Sequence, residues 1–198
     1  ADRGIGVLSA LALAASEENG RGHLVITAPT GGSAGVMPSL VYGLLEVRKV
    51  DRQKVREGML AAAAIGYLCK HHATLAAAEG GCQAEIGVAS AMAAALVATA
   101  HDAESRVVEN AAESALEHHL GLTCDPVAGY VQVPCIERCA FGAVKAWTAY
   151  AIASNEVASS HRVTLDETIQ ALAQTAKDMN SKYKETSEAG LALSVVLC

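Results

Sequence analysis

Alanine occurs in unbroken runs, Ala61 to Ala64 and Ala93 to Ala95, while aromatic residues make up only 4% of a chain that is 52% hydrophobic. An interior so poor in large rings has to be filled by small side chains, which fill space only where backbones come close together. Helices permit this best, because Ala costs least in a helix and its methyl group lets a neighbouring helix approach. The expected fold class is all-α, an Ala-rich multi-helix domain of about six or seven helices. A chain of 198 residues is long enough for one sizeable core, and no Pro/Ser-rich linker divides it, so residues 1–198 are read as a single domain.

The punctuation along the chain agrees. Ile5, Leu8, Leu11 and Leu13 open a helical pattern that Gly20 and Gly22 end. His23 to Thr27 is a short apolar run of strand-like composition, and the loop Ala28 to Gly35 leads into a helix over 36–47. Asp51 is placed to cap a helix reaching to about Ala78, with a break near Gly66. Further helices are expected over 84–100, 104–119 and 136–153, and a last one from Thr164 or Asp166 to Met179. The apolar tail Leu191 to Leu197 reads as buried.

Lys plus Arg number 15 against 21 Asp plus Glu, a net charge of −6, and no basic run occurs, which argues against a nucleic-acid or anionic-membrane partner. Ala61 to Leu68 and Val88 to Ala100 are too short and too Ala-rich to be read as bilayer spans, and no signal-peptide pattern opens the chain. A soluble, cytoplasmic protein is expected. In that compartment six cysteines are thiols, metal ligands or catalytic groups rather than disulfides.

Cys82 follows Gly80-Gly81 and precedes a helix, Cys135 follows Pro134 and opens another, and Cys124 lies in the loop Gly121 to Pro126. A thiolate at a helix start gains from exposed N–H groups and the positive dipole end, and loops are where ligands usually sit. Cys69 falls inside a helical pattern and reads as an ordinary packed thiol; Cys139, four residues after Cys135, reads as a packing or supporting residue. No CxxC pair occurs, and spacings of 42 (124 − 82) and 11 (135 − 124) do not select a metal. A metal or cluster site and a set of scattered reduced thiols both remain open on spacing alone.

The motifs Thr27 to Gly35, Glu79-Gly-Gly-Cys-Gln-Ala-Glu85, His118 to Pro126, Val133-Pro-Cys-Ile-Glu-Arg138 and Asn180 to Thr186 together resemble the catalytic alpha domain of iron–sulfur L-serine dehydratases. The likeness runs from about His23 to the end of the chain. It implies a [4Fe–4S] cluster held by Cys82, Cys124 and Cys135, with the fourth iron open to substrate. It further implies that this iron polarises the hydroxyl of L-serine while a base removes the α-proton, giving aminoacrylate, then pyruvate and ammonia. The family's habit implies a homodimer. Two departures stand out: the family usually has Asn where this chain has Cys139, and the chain opens at Ala1 as if inside a domain, without the family's early catalytic segment or its regulatory beta domain. The general base is therefore left unassigned and expected outside this chain.

For the Gly-rich loop two readings compete. One is a tight turn needing positive φ at Gly31 or Gly32; the other, favoured by the resemblance, is a grip on the substrate carboxylate by Thr27, Thr30, Gly32, Ser33 and Gly35. Lys182 is a candidate to neutralise that carboxylate, with a solvated loop as its alternative; His118 and His119 stay unassigned. Cys198 carries a thiol beside a free α-carboxylate, the skeleton of serine with sulfur for oxygen, and is expected to occupy the open iron until serine displaces it. Within enzymes the rival is a related cluster lyase such as a cysteine desulfidase; outside them it is a non-catalytic metal-binding module. A pyridoxal-phosphate enzyme is disfavoured, as no lysine stands in a recognisable Schiff-base context.

Overall fold

A computed structural model describes residues 3–130, 132–157 and 160–195. Its helices are α1 (Arg3–Gly20), α2 (Val36–Tyr42), α3 (Arg52–His72), α4 (Ala77–Gly80), α5 (Val88–Ala100), α6 (Ser105–Glu117), α7 (Glu137–Ala153), α8 (Leu165–Asp178) and α9 (Leu191–Ser194). No strand occurs among the described residues; the segment 23–27 runs irregularly with Leu24 94% and Ile26 90% exposed.

Helix α5 is the axis of the molecule. Every residue in it except Thr99 is buried, and α2, α3, α6 and α7 pack around it. The Ala-rich sequence shows its purpose here. A Cβ on Gly58 of α3 would stand 2.6 Å from the Leu96 carbonyl oxygen, and one on Gly142 of α7 would stand 2.9 Å from Ile86. Backbones approach this closely only where side chains are absent or small. The Ser90 hydroxyl donates to the Gly142 carbonyl at 2.8 Å, so even the buried polar residue of the axis is satisfied by its neighbour. Gln83–Ala100 is, by length and composition, the one helical stretch among the described residues suited to crossing a bilayer; 89% of it is buried within the fold, which makes it the core helix.

The ends follow the caps. The Asp51 carboxylate accepts from the backbone N–H groups of Gln53 (2.8 Å) and Lys54 (3.4 Å), and Thr164 forms a reciprocal capping box with Glu167 at the start of α8. Two expectations change. Helix α3 runs through Gly66 without a break, because Gly66 makes room for Met92 of α5, and it ends at His72, with α4 as a separate turn. The tail is less covered than its composition implied: Leu193 is 69% exposed, since α9 is a single turn joined to the body through its first residues. Val196, Leu197 and Cys198 lie outside the described residues.

Three wide turns bonded i→i+5 interrupt the regular helices, at Gly43–Val47, Gln83–Gly87 and Gln132–Ile136. The second links Cys82 to α5, and the third contains Cys135 and leads into α7. Such turns re-aim side chains at functional sites.

Candidate metal centre

Three segments deliver the thiols. Cys82 stands at the mouth of the turn Gln83–Gly87, behind Gly81, whose φ of +73° and closeness to the Leu122 carbonyl and Met179 sulfur suit only glycine. Cys124 is stitched to the segment 183–185: its N–H donates to the Tyr183 carbonyl and its carbonyl accepts from the Glu185 N–H, both at 2.7 Å. Cys135 precedes α7. All three are buried, and their Sγ atoms lie within 4.8 Å of one another. No further Cys, His, Asp or Glu joins the group among the described residues.

The electrostatics of the trio are lopsided. Hydrogen bonds from the Cys124 and Cys135 thiols, with the Arg138 guanidinium, hold Cys82 well below the ordinary thiol range despite burial. Cys124 is pushed up by its bonds with the other two sulfurs and by burial. Cys135 is pushed up as well: its bond with Cys124 favours the thiolate, but the Cys82 sulfur and burial outweigh it. The three sulfurs thus share their charge unequally, with Cys82 the one favoured as thiolate. A metal cation resolves this by displacing the remaining protons, and an all-sulfur donor set suits iron–sulfur clusters or zinc. The residues fit such a group.

Arg138, one turn beyond Cys135, donates from Nη1 to Cys82 Sγ (3.2 Å) and to the Thr123 carbonyl (2.6 Å), while Nη2 lies 3.5 Å from Asp125 Oδ1. The other Asp125 oxygen accepts from the Leu191 N–H at 2.7 Å. One buried carboxylate therefore ties the guanidinium over Cys82 to the start of α9. Sequence reasoning gave Arg138 and Asp125 no role; the available signal was the i, i+3 spacing from Cys135, which puts Arg138 on the same helical side.

The other cysteines separate cleanly. Cys69 is buried in α3 and burial pushes its thiol up to about 12, the behaviour of a packed thiol. Cys139 is also pushed up by burial, and its sulfur lies 3.5 Å from the Gly32 carbonyl.

That contact brings the Gly-rich loop to the centre. Thr27 donates to the Ala34 carbonyl (3.0 Å), Ser33 to the Thr30 carbonyl (3.1 Å), and Thr30 to Glu85 Oε1 (2.7 Å). Neither Gly31 nor Gly32 adopts positive φ, so the tight-turn expectation fails; close approach is the reason for glycine, since a Cβ on Gly32 would collide with the Glu85 carboxylate and one on Gly35 with the Ala12 carbonyl. Lys182 is exposed, its Nζ 5.1 Å from the centre of the Tyr183 ring. His119 is buried and held neutral, burial lowering it to about 4, with Nδ1 2.6 Å from the Ala115 carbonyl; His118 is exposed.

An all-helical body that gathers three buried thiols at one end defines a candidate thiolate metal centre on a helical scaffold. Residues 3–192 match the serine dehydratase alpha chain family, and the chain belongs to that family. It is 50% identical over 192 residues to "L-serine dehydratase 2" of Escherichia coli, covering 96% of this chain and 42% of that protein. Against "L-serine dehydratase TdcG" of the same organism the identity is 52% over 186 residues (93% and 41%), and against "L-serine dehydratase" of Streptomyces coelicolor 47% over 188 residues (94% and 41%). The chain spans about two fifths of the length of these relatives.

Proposed function

We propose that this chain is the catalytic alpha domain of an iron–sulfur L-serine ammonia-lyase, converting L-serine to pyruvate and ammonia, in a cytoplasmic homodimer. The observation that carries the reading is the convergence of Cys82, Cys124 and Cys135, with Sγ atoms within 4.8 Å, in a chain about half identical to L-serine dehydratases. These three would hold a [4Fe–4S] cluster, which when bound supplies a Lewis acid for the substrate hydroxyl. Cys198 is the proposed occupant of the fourth position in the absence of serine.

The chain's own residues supply the rest. Arg138 holds the Cys82 thiolate and offsets part of the centre's negative charge. Thr27, Thr30, Gly32, Ser33 and Gly35 form the proposed carboxylate grip, with Thr27 and Ser33 fixing the loop through hydroxyls that donate to its own carbonyls. Lys182 is proposed to add positive charge at its rim. The base for Cα is proposed to come from outside this chain.

Anaerobic reconstitution with iron and sulfide, followed by assay of pyruvate from serine, threonine and cysteine, tests the reading. Broad thiolate-to-iron absorbance that vanishes in Cys124→Ser, with serine the preferred substrate, is expected. Zinc retention without that absorbance, or a preference for cysteine, overturns it.

A further inference from the structure

Glu85 is the carboxylate that the sequence left without a task. It rides on the turn Gln83–Gly87, three residues beyond Cys82, and reaches across to the Gly-rich loop. Its Oε1 accepts from the Thr30 hydroxyl at 2.7 Å, and its Oε2 rests against Gly32 where no Cβ could be tolerated. It is only partly exposed, yet among the described residues no Lys, Arg or His pairs with it. The ionisable groups that bear on it are the Cys82 thiol and Glu185, both acidic, and Cys139 faces it from α7. Burial pushes it up to about 7, the Thr30 bond opposing and the two acidic neighbours assisting.

A partly buried carboxylate is ordinarily paired or kept protonated, so an unpaired one beside a ligand loop is placed to receive a cation. The position says which cation. If the Gly-rich loop grips the carboxylate of an α-amino acid, the ammonium on the same carbon has to sit beside that loop, and Glu85 is the acidic group bonded to it. We infer that Glu85 receives the α-ammonium group of the substrate, so that Thr30 and Gly32 hold the two charged ends of the amino acid in register, one through the loop and one through Glu85. This rests on the serine-lyase reading above and adds to it the feature that distinguishes an amino acid from a hydroxy acid. An ammonium arriving beside Glu85 favours its carboxylate form over the protonated one.

The test uses the full-length, iron-reconstituted protein under anaerobic conditions and two probes without a leaving group at Cβ, L-alanine and L-lactate, which differ only in ammonium against hydroxyl. Calorimetric titration is expected to show L-alanine bound more tightly than L-lactate by about tenfold or more, the worth of a charge-assisted hydrogen bond. Repeating it at pH 6 in buffers of different ionisation heat is expected to show proton release with L-alanine and none with L-lactate. Glu85→Gln is expected to erase the preference by weakening L-alanine alone, and to raise KM for L-serine more than it lowers kcat. If the variant loses helical content, the wild-type protein's own preference for L-alanine over L-lactate decides. Wild-type protein that holds L-alanine no more tightly than L-lactate overturns the inference, as does a Glu85→Gln variant that keeps the preference and loses only kcat, the signature of a proton-transfer group. Failure of the iron-loaded wild type to make pyruvate from serine sinks the underlying reading too; normal pyruvate formation with an unchanged preference sinks only the assignment of Glu85.

Discussion

Cys69 and Cys82 are equally hidden from solvent, 0% and 1% exposed, and behave in opposite ways. Cys69 sits in α3 among apolar side chains, where burial outweighs an opposing backbone hydrogen bond and pushes the thiol up. Cys82 sits where three loop-borne segments meet, and there two thiols and a guanidinium hold it well below the ordinary thiol range. Around Cys69 the helical body thus offers nothing, among the described residues, that outweighs burial and stabilises a thiolate. The loop end is a region where polar groups converge on the same small volume. Burial does not by itself decide reactivity; the partners that burial leaves in place do.

The widest test of this contrast exchanges the same atom in the two regions. Cys124→Ser is expected to abolish iron incorporation, read from loss of the charge-transfer absorbance, whereas Cys69→Ser leaves iron content intact and lowers only the melting temperature. Next in size, Leu96→Ala in α5 is expected to cost about 2–5 kcal/mol of stability, because the Ala-rich neighbours have no long side chains with which to refill the cavity; chemical denaturation measures it. Arg138→Gln is expected to weaken iron binding about 10–100-fold while barely moving the midpoint of unfolding, which sets charge support at the loop end apart from packing in the body. Thr164→Ala, which breaks the capping box of α8, is expected to cost about 1 kcal/mol and leave iron binding unchanged.

A pH scan sharpens the same contrast. Glu85 has its folded value raised above the ordinary carboxylate range, to about 7, so the folded state keeps a proton that the unfolded chain has released. Its contribution to stability is therefore full below the ordinary carboxylate range, declines as pH rises from about 4.5 to about 7, and is level above. Comparing unfolding midpoints of wild type and Glu85→Gln across that window is expected to show the decline only in the wild type.

Much of the helical body was legible because its determinants are local. The alanine runs, the Asp51 cap and the Thr164 capping box each act within a few residues, and the helices they imply are present. The early end of α3 and its passage through Gly66 were not legible, since Gly66 answers to Met92 on another helix. The site divides the same way. Cys82, Cys124 and Cys135 announced themselves by standing at turns and helix starts. Their partners did not, because Arg138 meets Cys82 from 56 residues away, Glu85 meets Thr30 from 55, and Asp125 meets Leu191 from 66. Separations of that size carry no periodic signal.

The stitch between Cys124 and the segment 183–185 sets an order of events in the cell. Both backbone bonds that fix Cys124 need residues that a ribosome adds about sixty positions later. Until then Cys82 and Cys135 can be near one another but the third thiol has no fixed place. Cofactor loading is therefore expected to follow synthesis rather than accompany it, and a nascent chain stalled before Tyr183 is expected to emerge from the ribosome helical and empty.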